Sequence, residues 1–174
     1  HFISTEKYPL APEDLRKALS LWPDFSHLTD QLSDQYIAVN PGFQRFKFAS
    51  GRISLTLLVG DALSMLEQLD TCVDAWFLDG FAPSRNPDMW TPEIIRQLSR
   101  LSKSGTTLST FTAASQVRRN LENFGFNVNK VPGFASKREM LTAIQHKPSE
   151  GKASPPWYVR HPDRSATLRE AVVI

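Results

Sequence analysis

Short apolar runs alternate with stretches of helical periodicity along most of the chain. The runs that predict strands cover residues 2–5, 45–48, 53–59, 75–78, 106–111, 126–131 and 140–144. Between them, apolar residues recur every three or four positions at 12–21, 62–69, 91–101 and 113–124, which predicts helices. Alternation of this kind is typical of an α/β fold with a largely parallel sheet.

Two connections are too short to hold a crossover helix. Residues 49–51, Ala-Ser-Gly, separate the second and third strands and predict a hairpin. Residues 132–139 separate the last two strands, which we therefore expect to be antiparallel neighbours. Residues 148–170 are rich in Pro, Ser, Lys and Arg with little periodicity, and predict a linker.

Composition narrows the class of protein. The chain has 174 residues, of which 41% are hydrophobic and 22% charged, so it can bury a core and is not wholly disordered. No apolar run approaches the roughly 20 residues of a membrane-spanning helix, and we expect no membrane partner. A single cysteine excludes an intramolecular disulfide framework and fits a reducing cytoplasm. The four histidines have no ligand spacing, so no metal is expected.

Acidic residues follow three of the predicted strands, at Glu6, Asp61 and Asp79. Open parallel sheets bind ligands at the carboxyl ends of their strands. There, Glu6 is placed to accept hydrogen bonds from ribose hydroxyls and Asp61 from an adenine amino group, with Asp79 near the reacting centre. One such acid is often only a solvated side chain or a helix cap. Three such acids at strand ends together predict a nucleoside-bearing cofactor.

The segment 73–90, VDAWFLDGFAPSRNPDMW, resembles the methyltransferase domain of the MnmC family. Members of that family are bifunctional and complete 5-methylaminomethyl-2-thiouridine at the tRNA wobble position. Residues 1–10, 109–119 and 133–141 resemble further motifs of the family. The resemblance implies a class I S-adenosylmethionine-dependent methyltransferase sheet (Rossmann-like), mostly parallel with an antiparallel last strand. It also implies methylation of the 5-aminomethyl group of wobble 2-thiouridine in tRNA.

The resemblance also implies where the domains lie. In the family, a first strand and a Gly-rich loop precede the strand at 2–5, and an FAD-binding oxidoreductase domain follows the linker. We therefore expect a methyltransferase domain lacking its N-terminal part at 1–147, the linker at 148–170 and the start of the FAD-binding domain at 171–174. FAD would bind in the absent C-terminal domain. Without its first strand, the sheet should have a gap between the strands at 2–5 and 75–78.

The implied reaction assigns roles to individual residues. Asp79 is the candidate to hold the amine by its N–H groups and to accept the departing proton. Phe81 is the candidate to face the cationic methyl group or the amine. The residues expected to bind S-adenosylmethionine are Glu6, Lys7, Asp61, Ala62, Asp79 and Gly80. Those expected to bind the tRNA, by phosphate contacts or base stacking, are Pro83, Trp90, Arg118, Arg119, Phe134, Lys137 and Arg138.

Two other interpretations stay open from the sequence. Strand-end acids occur in many class I methyltransferases, so another amine acceptor is an alternative, which the specific block at 79–90 disfavours. The absent Gly-rich loop leaves room for a non-catalytic RNA-binding or scaffold fragment. The basic residues also fit a solvated face, and the net charge of +2 is too small to indicate a nucleic-acid partner.

Overall fold

The computed structural model describes residues 1–133 and 138–148, together with the backbone of 171–173. These residues form eight strands and five α-helices. The strands are β1 (Phe2–Glu6), β2 (Gly42–Phe48), β3 (Ile53–Val59), β4 (Val73–Leu78), β5 (Ser102–Thr110), β6 (Phe126–Pro132), β7 (Glu139–Gln145) and β8 (Ala171–Val173). The helices are α1 (Pro12–Leu19), α2 (Ser26–Gln35), α3 (Ala62–Gln68), α4 (Pro92–Arg100) and α5 (Ser115–Asn123).

All eight strands belong to one sheet in the order β2-β3-β1-β8-β4-β5-β7-β6. The five strands β3, β1, β8, β4 and β5 run parallel. The strands β2 and β7 run antiparallel to their neighbours. The predicted α/β class with a mostly parallel sheet and an antiparallel end is confirmed. The predicted hairpin at 49–51 is also confirmed, and Gly51 there has φ +81°, a conformation that glycine adopts at low cost.

The expected gap in the middle of the sheet is absent, because β8 lies there. Phe2 of β1 and Ala75 of β4 both pair with Ala171, so β8 has a parallel neighbour on each side. Without it, β1 and β4 would each present unpaired N–H and C=O groups in the centre of the sheet. The β-branched run in β8 suits this position. The assignment of 171–174 to a following domain stays a prediction, and residues 149–170 lie outside the described part of the chain.

The main core lies on the sheet face covered by α3, α4 and α5. Trp76 of β4 is 1% exposed, and its indole N–H donates to the Ser102 hydroxyl at 2.8 Å. Gln145 of β7 is also fully buried and donates to the Ser99 hydroxyl at 2.9 Å. Among the described residues, no buried side-chain N or O lacks a hydrogen-bond partner. This satisfied core holds the central strands rigidly below the site described next.

On the other face, α1 and α2 cover only the β2–β3 side. Tyr36 stacks on Phe46 with 5.8 Å between ring centroids and donates to the Leu10 carbonyl at 2.9 Å. Burial, with a smaller effect of Glu6, raises the pKa of Tyr36. The sequence analysis did not predict α2. This helix contributes only two leucines to the cluster and has no side-chain N-cap, so its apolar periodicity and its start signal are both weak. Further along this face, Phe77 of β4 is exposed.

None of the helices among the described residues combines the length and the apolar character needed to cross a bilayer. The same residues hold no group of three or more His, Cys, Asp or Glu side chains arranged to bind a metal ion.

The central position of β8 can be tested with proline at Val172. Proline removes a backbone N–H from a strand that has neighbours on both sides. We expect the free energy of unfolding of the 174-residue chain to fall by about 1–3 kcal/mol, the cost of a buried carbonyl without its donor. Urea denaturation measures this, with Val172→Ile as a control that keeps the N–H. Equal stability of the proline variant would show that β8 is not part of this sheet.

Candidate active site at the carboxyl edge of the sheet

The strand register brings Glu6 and Asp79 to the same level of one sheet edge. Ser4, Val173 and Phe77 pair across β1, β8 and β4. Glu6, the last residue of β1, and Asp79, the first residue after β4, both lie two residues beyond this level. Their backbones are therefore separated by two strand spacings, or about 10 Å. Both side chains are exposed. The structure thus juxtaposes two carboxylates where open parallel sheets bind ligands.

Asp61 lies at the same edge, immediately after β3 and Gly60. Its Oδ1 accepts from the Ser64 backbone N–H at 3.3 Å and so caps α3, while Oδ2 lies 3.6 Å from the Lys7 ammonium. A carboxylate can accept about four hydrogen bonds, so Asp61 retains capacity for a ligand. Ala62 is buried as the first residue of α3, where a backbone N–H has no partner within the helix.

The Glu6 carboxylate is held by the chain that follows it. Its Oε1 accepts from the Tyr8 backbone N–H at 2.8 Å. The Glu6 carbonyl accepts from the Gly60 N–H at 3.0 Å, which ties the end of β1 to the turn after β3. These bonds set Glu6 beside the turn that carries Asp61, and their shared role in binding a ligand stays a prediction.

A loop of residues 79–86, here called the site loop, follows β4. Asp79 is exposed, and the Phe81 side chain is 73% exposed. Pro83 is partly exposed in the same loop. The Ala82 carbonyl accepts the N–H groups of Arg85 and Asn86 at 2.8 and 3.1 Å, which closes a turn. The loop therefore displays a carboxylate and an aromatic ring to solvent at the sheet edge.

Trp90 occupies a different position from the one expected. Its side chain is 7% exposed and belongs to the main core, and the indole N–H donates to the Phe81 carbonyl at 2.8 Å. A Cβ placed on Gly80 would lie 3.8 Å from the Trp90 ring, so the site loop rests on the indole. A buried ring offers no face to a splayed base, because α4 and the loop enclose it. Trp90 contacts the site loop from beneath instead.

Two backbone carbonyls of the site loop already accept hydrogen bonds from within the protein. The carbonyls of Phe81 and Ala82 accept hydrogen bonds from Trp90 and from the turn itself. Within the described loop, the Asp79 carboxylate is thus the clearest acceptor for an incoming N–H group.

Two of the predicted RNA-contacting residues lie on α5. Arg118 and Arg119 are both exposed. Arg118 pairs with Glu122 at 2.8 Å, and Arg119 donates to the Gln116 amide oxygen at 2.8 Å. Arg138 is exposed beside β7. Phe134 and Lys137 lie outside the described residues.

Sequence reasoning missed Asn120, which the structure places under the site. Asn120 is 6% exposed, accepts from the Gln116 amide at 2.9 Å and donates to the Trp90 carbonyl at 3.4 Å. The sequence held a signal for this residue, because the position of Asn120 falls on the same face of the helix as Val117 and Leu121, which are apolar and buried. A polar residue at a core-facing position needs a specific partner.

The amino-acid sequence of this chain is similar to those of known proteins. A family profile described as S-adenosyl-L-methionine-dependent methyltransferase matches residues 23–146. The chain is 53% identical over 174 residues to the tRNA 5-methylaminomethyl-2-thiouridine biosynthesis bifunctional protein MnmC of Pseudomonas putida strain GB-1, covering 100% of this chain and 26% of that protein. The protein of the same name in Pseudomonas aeruginosa strain PAO1 is 54% identical over 173 residues, covering 99% and 26%. The chain thus spans about a quarter of the length of these relatives.

A solved structure agrees with the fold. That of MNMC2 from Aquifex aeolicus matches with a TM-score of 0.61 and 24% identity, over 86% of this chain and 45% of that one. The family profile covers more than half of the chain and includes two of the strand-end acids and the site loop. The chain belongs to the S-adenosyl-L-methionine-dependent methyltransferase family.

Proposed function

We propose that this chain transfers a methyl group from S-adenosylmethionine to the primary amine of a 5-aminomethyl group on wobble 2-thiouridine in tRNA. The observation that carries the proposal is the exposed Asp79 at the level of Glu6 on the carboxyl edge. The names of the relatives, which refer to biosynthesis of 5-methylaminomethyl-2-thiouridine in tRNA, support the acceptor.

The side chains at the edge fit the cofactor in chemical type. Ribose hydroxyls and an adenine amino group are hydrogen-bond donors, and a sulfonium carries positive charge. Carboxylates are acceptors only, and three of them lie at this edge. Glu6 would hold the ribose hydroxyls, while Asp61 and the Ala62 backbone would hold the adenine, with Lys7 and Gly80 flanking them. When bound, S-adenosylmethionine supplies an electrophilic methyl group.

Asp79 and Phe81 would handle the acceptor. An amine attacks only as the neutral base, so the site must remove a proton and orient the nitrogen. The Asp79 carboxylate would accept a hydrogen bond from the neutral amine. It would then take the proton that the nitrogen loses as the N–C bond forms and the methyl C–S bond breaks, the sulfur leaving as a neutral thioether. The Phe81 ring would stabilise positive charge developing beside it. Positioning of the two reactants supplies most of the remaining rate gain.

The tRNA would approach over α5 and the β6–β7 end of the sheet. Arg118, Arg119 and Arg138 would contact phosphates of the anticodon arm, together with Lys137. Pro83 would border the bound nucleotide, and Phe134 would stack on a splayed base. The exposure of the three arginines supports this part of the proposal.

The proposal for the whole protein is broader. The relatives are named bifunctional and are about four times as long as the chain. The names and lengths support a second activity in the longer protein. From the sequence resemblance, we propose that this activity is an FAD-dependent oxidoreductase that removes a carboxymethyl group, joined through a linker at 148–170 to a methyltransferase domain at 1–147. A tRNA substrate and the single cysteine fit a cytoplasmic location.

Replacement of Asp79 tests the catalytic role directly. In the intact protein, Asp79→Ala should lower kcat for methylation of tRNA at saturating S-adenosylmethionine by about a hundredfold or more, because the proton acceptor is lost. The unfolding midpoint should not change, since the side chain is exposed. Asp88→Ala removes another exposed acid of the same sequence block and should leave kcat unchanged. A wild-type rate in Asp79→Ala would overturn this role.

Cofactor binding can be measured separately. Glu6→Gln should weaken S-adenosylmethionine binding about tenfold in calorimetry, the effect of losing a hydrogen bond to a charged group. Glu13→Gln on α1 is the matched control and should bind as the wild type does. If the wild-type protein itself bound no S-adenosylmethionine, the non-catalytic RNA-binding alternative would be favoured.

The proposed tRNA face predicts a change in salt dependence. The double charge reversal Arg118→Glu/Arg119→Glu should weaken tRNA binding and reduce the slope of log K against log salt concentration by about one to two, because phosphate contacts are lost. The control Arg16→Glu/Lys17→Glu makes the same change in net charge on exposed positions of α1. If both pairs changed the slope equally, the effect would come from net charge and not from contact.

A further inference from the structure

The side chains of the site loop are exposed or only partly buried, so their burial contributes little to holding the loop in place. Asp79 and the Phe81 side chain are exposed, and the turn at Ala82 involves only backbone atoms of the loop. The loop is joined to the core through Trp90, whose indole N–H donates to the Phe81 carbonyl at 2.8 Å. A Cβ built on Gly80 would lie 3.8 Å from the Trp90 ring and 3.9 Å from the Met89 side chain, so the loop lies against both residues. Of the two, Trp90 also holds the loop by a hydrogen bond.

Trp90 is itself fixed from below by a polar contact in the core. The Asn120 amide donates to the Trp90 carbonyl at 3.4 Å, and Gln116 donates to the Asn120 amide oxygen at 2.9 Å. Gln116 also accepts from Arg119 at 2.8 Å. Hydrogen bonds thus connect the exposed face of α5 to the Trp90 backbone carbonyl, and the indole N–H of the same residue connects it to the Phe81 carbonyl.

We propose that Trp90 is a positioning residue for methyl transfer, which together with Asn120 fixes the backbone of Asp79–Phe81 at the reacting centre. This inference rests on the proposed function. Tryptophan suits the role because its ring fills core volume while its N–H reaches one specific carbonyl. Phenylalanine would fill part of the same space without holding the loop.

Asn120 contributes by holding the Trp90 backbone, so the ring cannot shift along the core. Its own burial makes this contact obligatory, since an unpaired buried amide is costly. Displacement of a reacting group by about 1 Å can cost about a hundredfold in rate. A small shift of the Phe81 carbonyl would therefore change catalysis more than it changes stability.

The chain offers a matched control for Trp90. Trp76 is also buried, and its indole N–H also donates a hydrogen bond of 2.8 Å, but to Ser102 in the core. Each of the variants Trp90→Phe and Trp76→Phe thus loses an indole N–H and its hydrogen bond. The lost bond is to the site loop in the first variant and within the core in the second. In the intact protein, both should lower the unfolding midpoint. Only Trp90→Phe should lower kcat, by about ten- to a hundredfold, with KM for tRNA changed less than about threefold because the phosphate contacts are intact.

Hydrogen exchange of the site-loop amides supplies a readout that does not need activity. We expect exchange at residues 80–86 to be about tenfold faster in Trp90→Phe and unchanged in Trp76→Phe, since only the former loses a bond to the loop. Equal effects of the two variants on kcat, or wild-type exchange in Trp90→Phe, would overturn the inference. If the wild type did not methylate tRNA, the proposed function would fail, while the exchange result would still decide whether Trp90 holds the loop.

Two further variants keep the proposal testable if Trp90→Phe does not fold. Site-specific replacement of Trp90 by β-(3-benzothienyl)alanine keeps the shape of the ring and substitutes sulfur for the N–H, so it should reproduce the loss in kcat. Asn120→Ala should lower kcat in the same direction, and its effect should be less than additive with Trp90→Phe because both act through one loop. Full activity of the benzothienyl variant, or strict additivity, would contradict the proposal.

Discussion

Parallel hydrogen bonding of β4 on both sides is the constraint on which the site depends. β5 pairs with β4 on one side, and β8 pairs with its residues Ala75 to Phe77 on the other and extends the register to β1. This register sets Glu6 level with Asp79. A slip of one residue would turn Trp76 out of the core and move Asp79 relative to Glu6, so packing of the core and alignment of the site reinforce each other.

The site combines groups held in two different ways. Glu6 and Asp61 are positioned by strand ends and by short bonds to neighbouring backbone. The site loop is positioned from beneath, by a buried indole. Trp76 and Trp90 illustrate the division, because one indole N–H fixes a strand to the core and the other fixes a loop to it. Exposed reactive groups can thereby remain open to a large substrate without losing their geometry.

The surface proposed to meet tRNA is basic only locally, since the net charge is +2. Arg118 is already paired with Glu122 across one turn of α5. Exposed pairs of this kind contribute little to stability, so a phosphate can replace the carboxylate at small cost. Arg119 contacts a neutral amide, and its charge is not neutralised by that contact. The arrangement suits a surface that binds an anion reversibly.

The class of fold, most of the strands and helices, and the three acids at strand ends could be predicted from the amino-acid sequence, because they depend on periodicity and on the residues next to a strand. Long-range packing was needed to show that β8 fills the centre of the sheet, that α2 is helical, and that Trp90 lies beneath the site loop with Asn120 below it. Those outcomes depend on partners distant in the chain. A local pattern shows that a residue is apolar or polar, but which carbonyl its N–H meets is set by the packing of the whole domain.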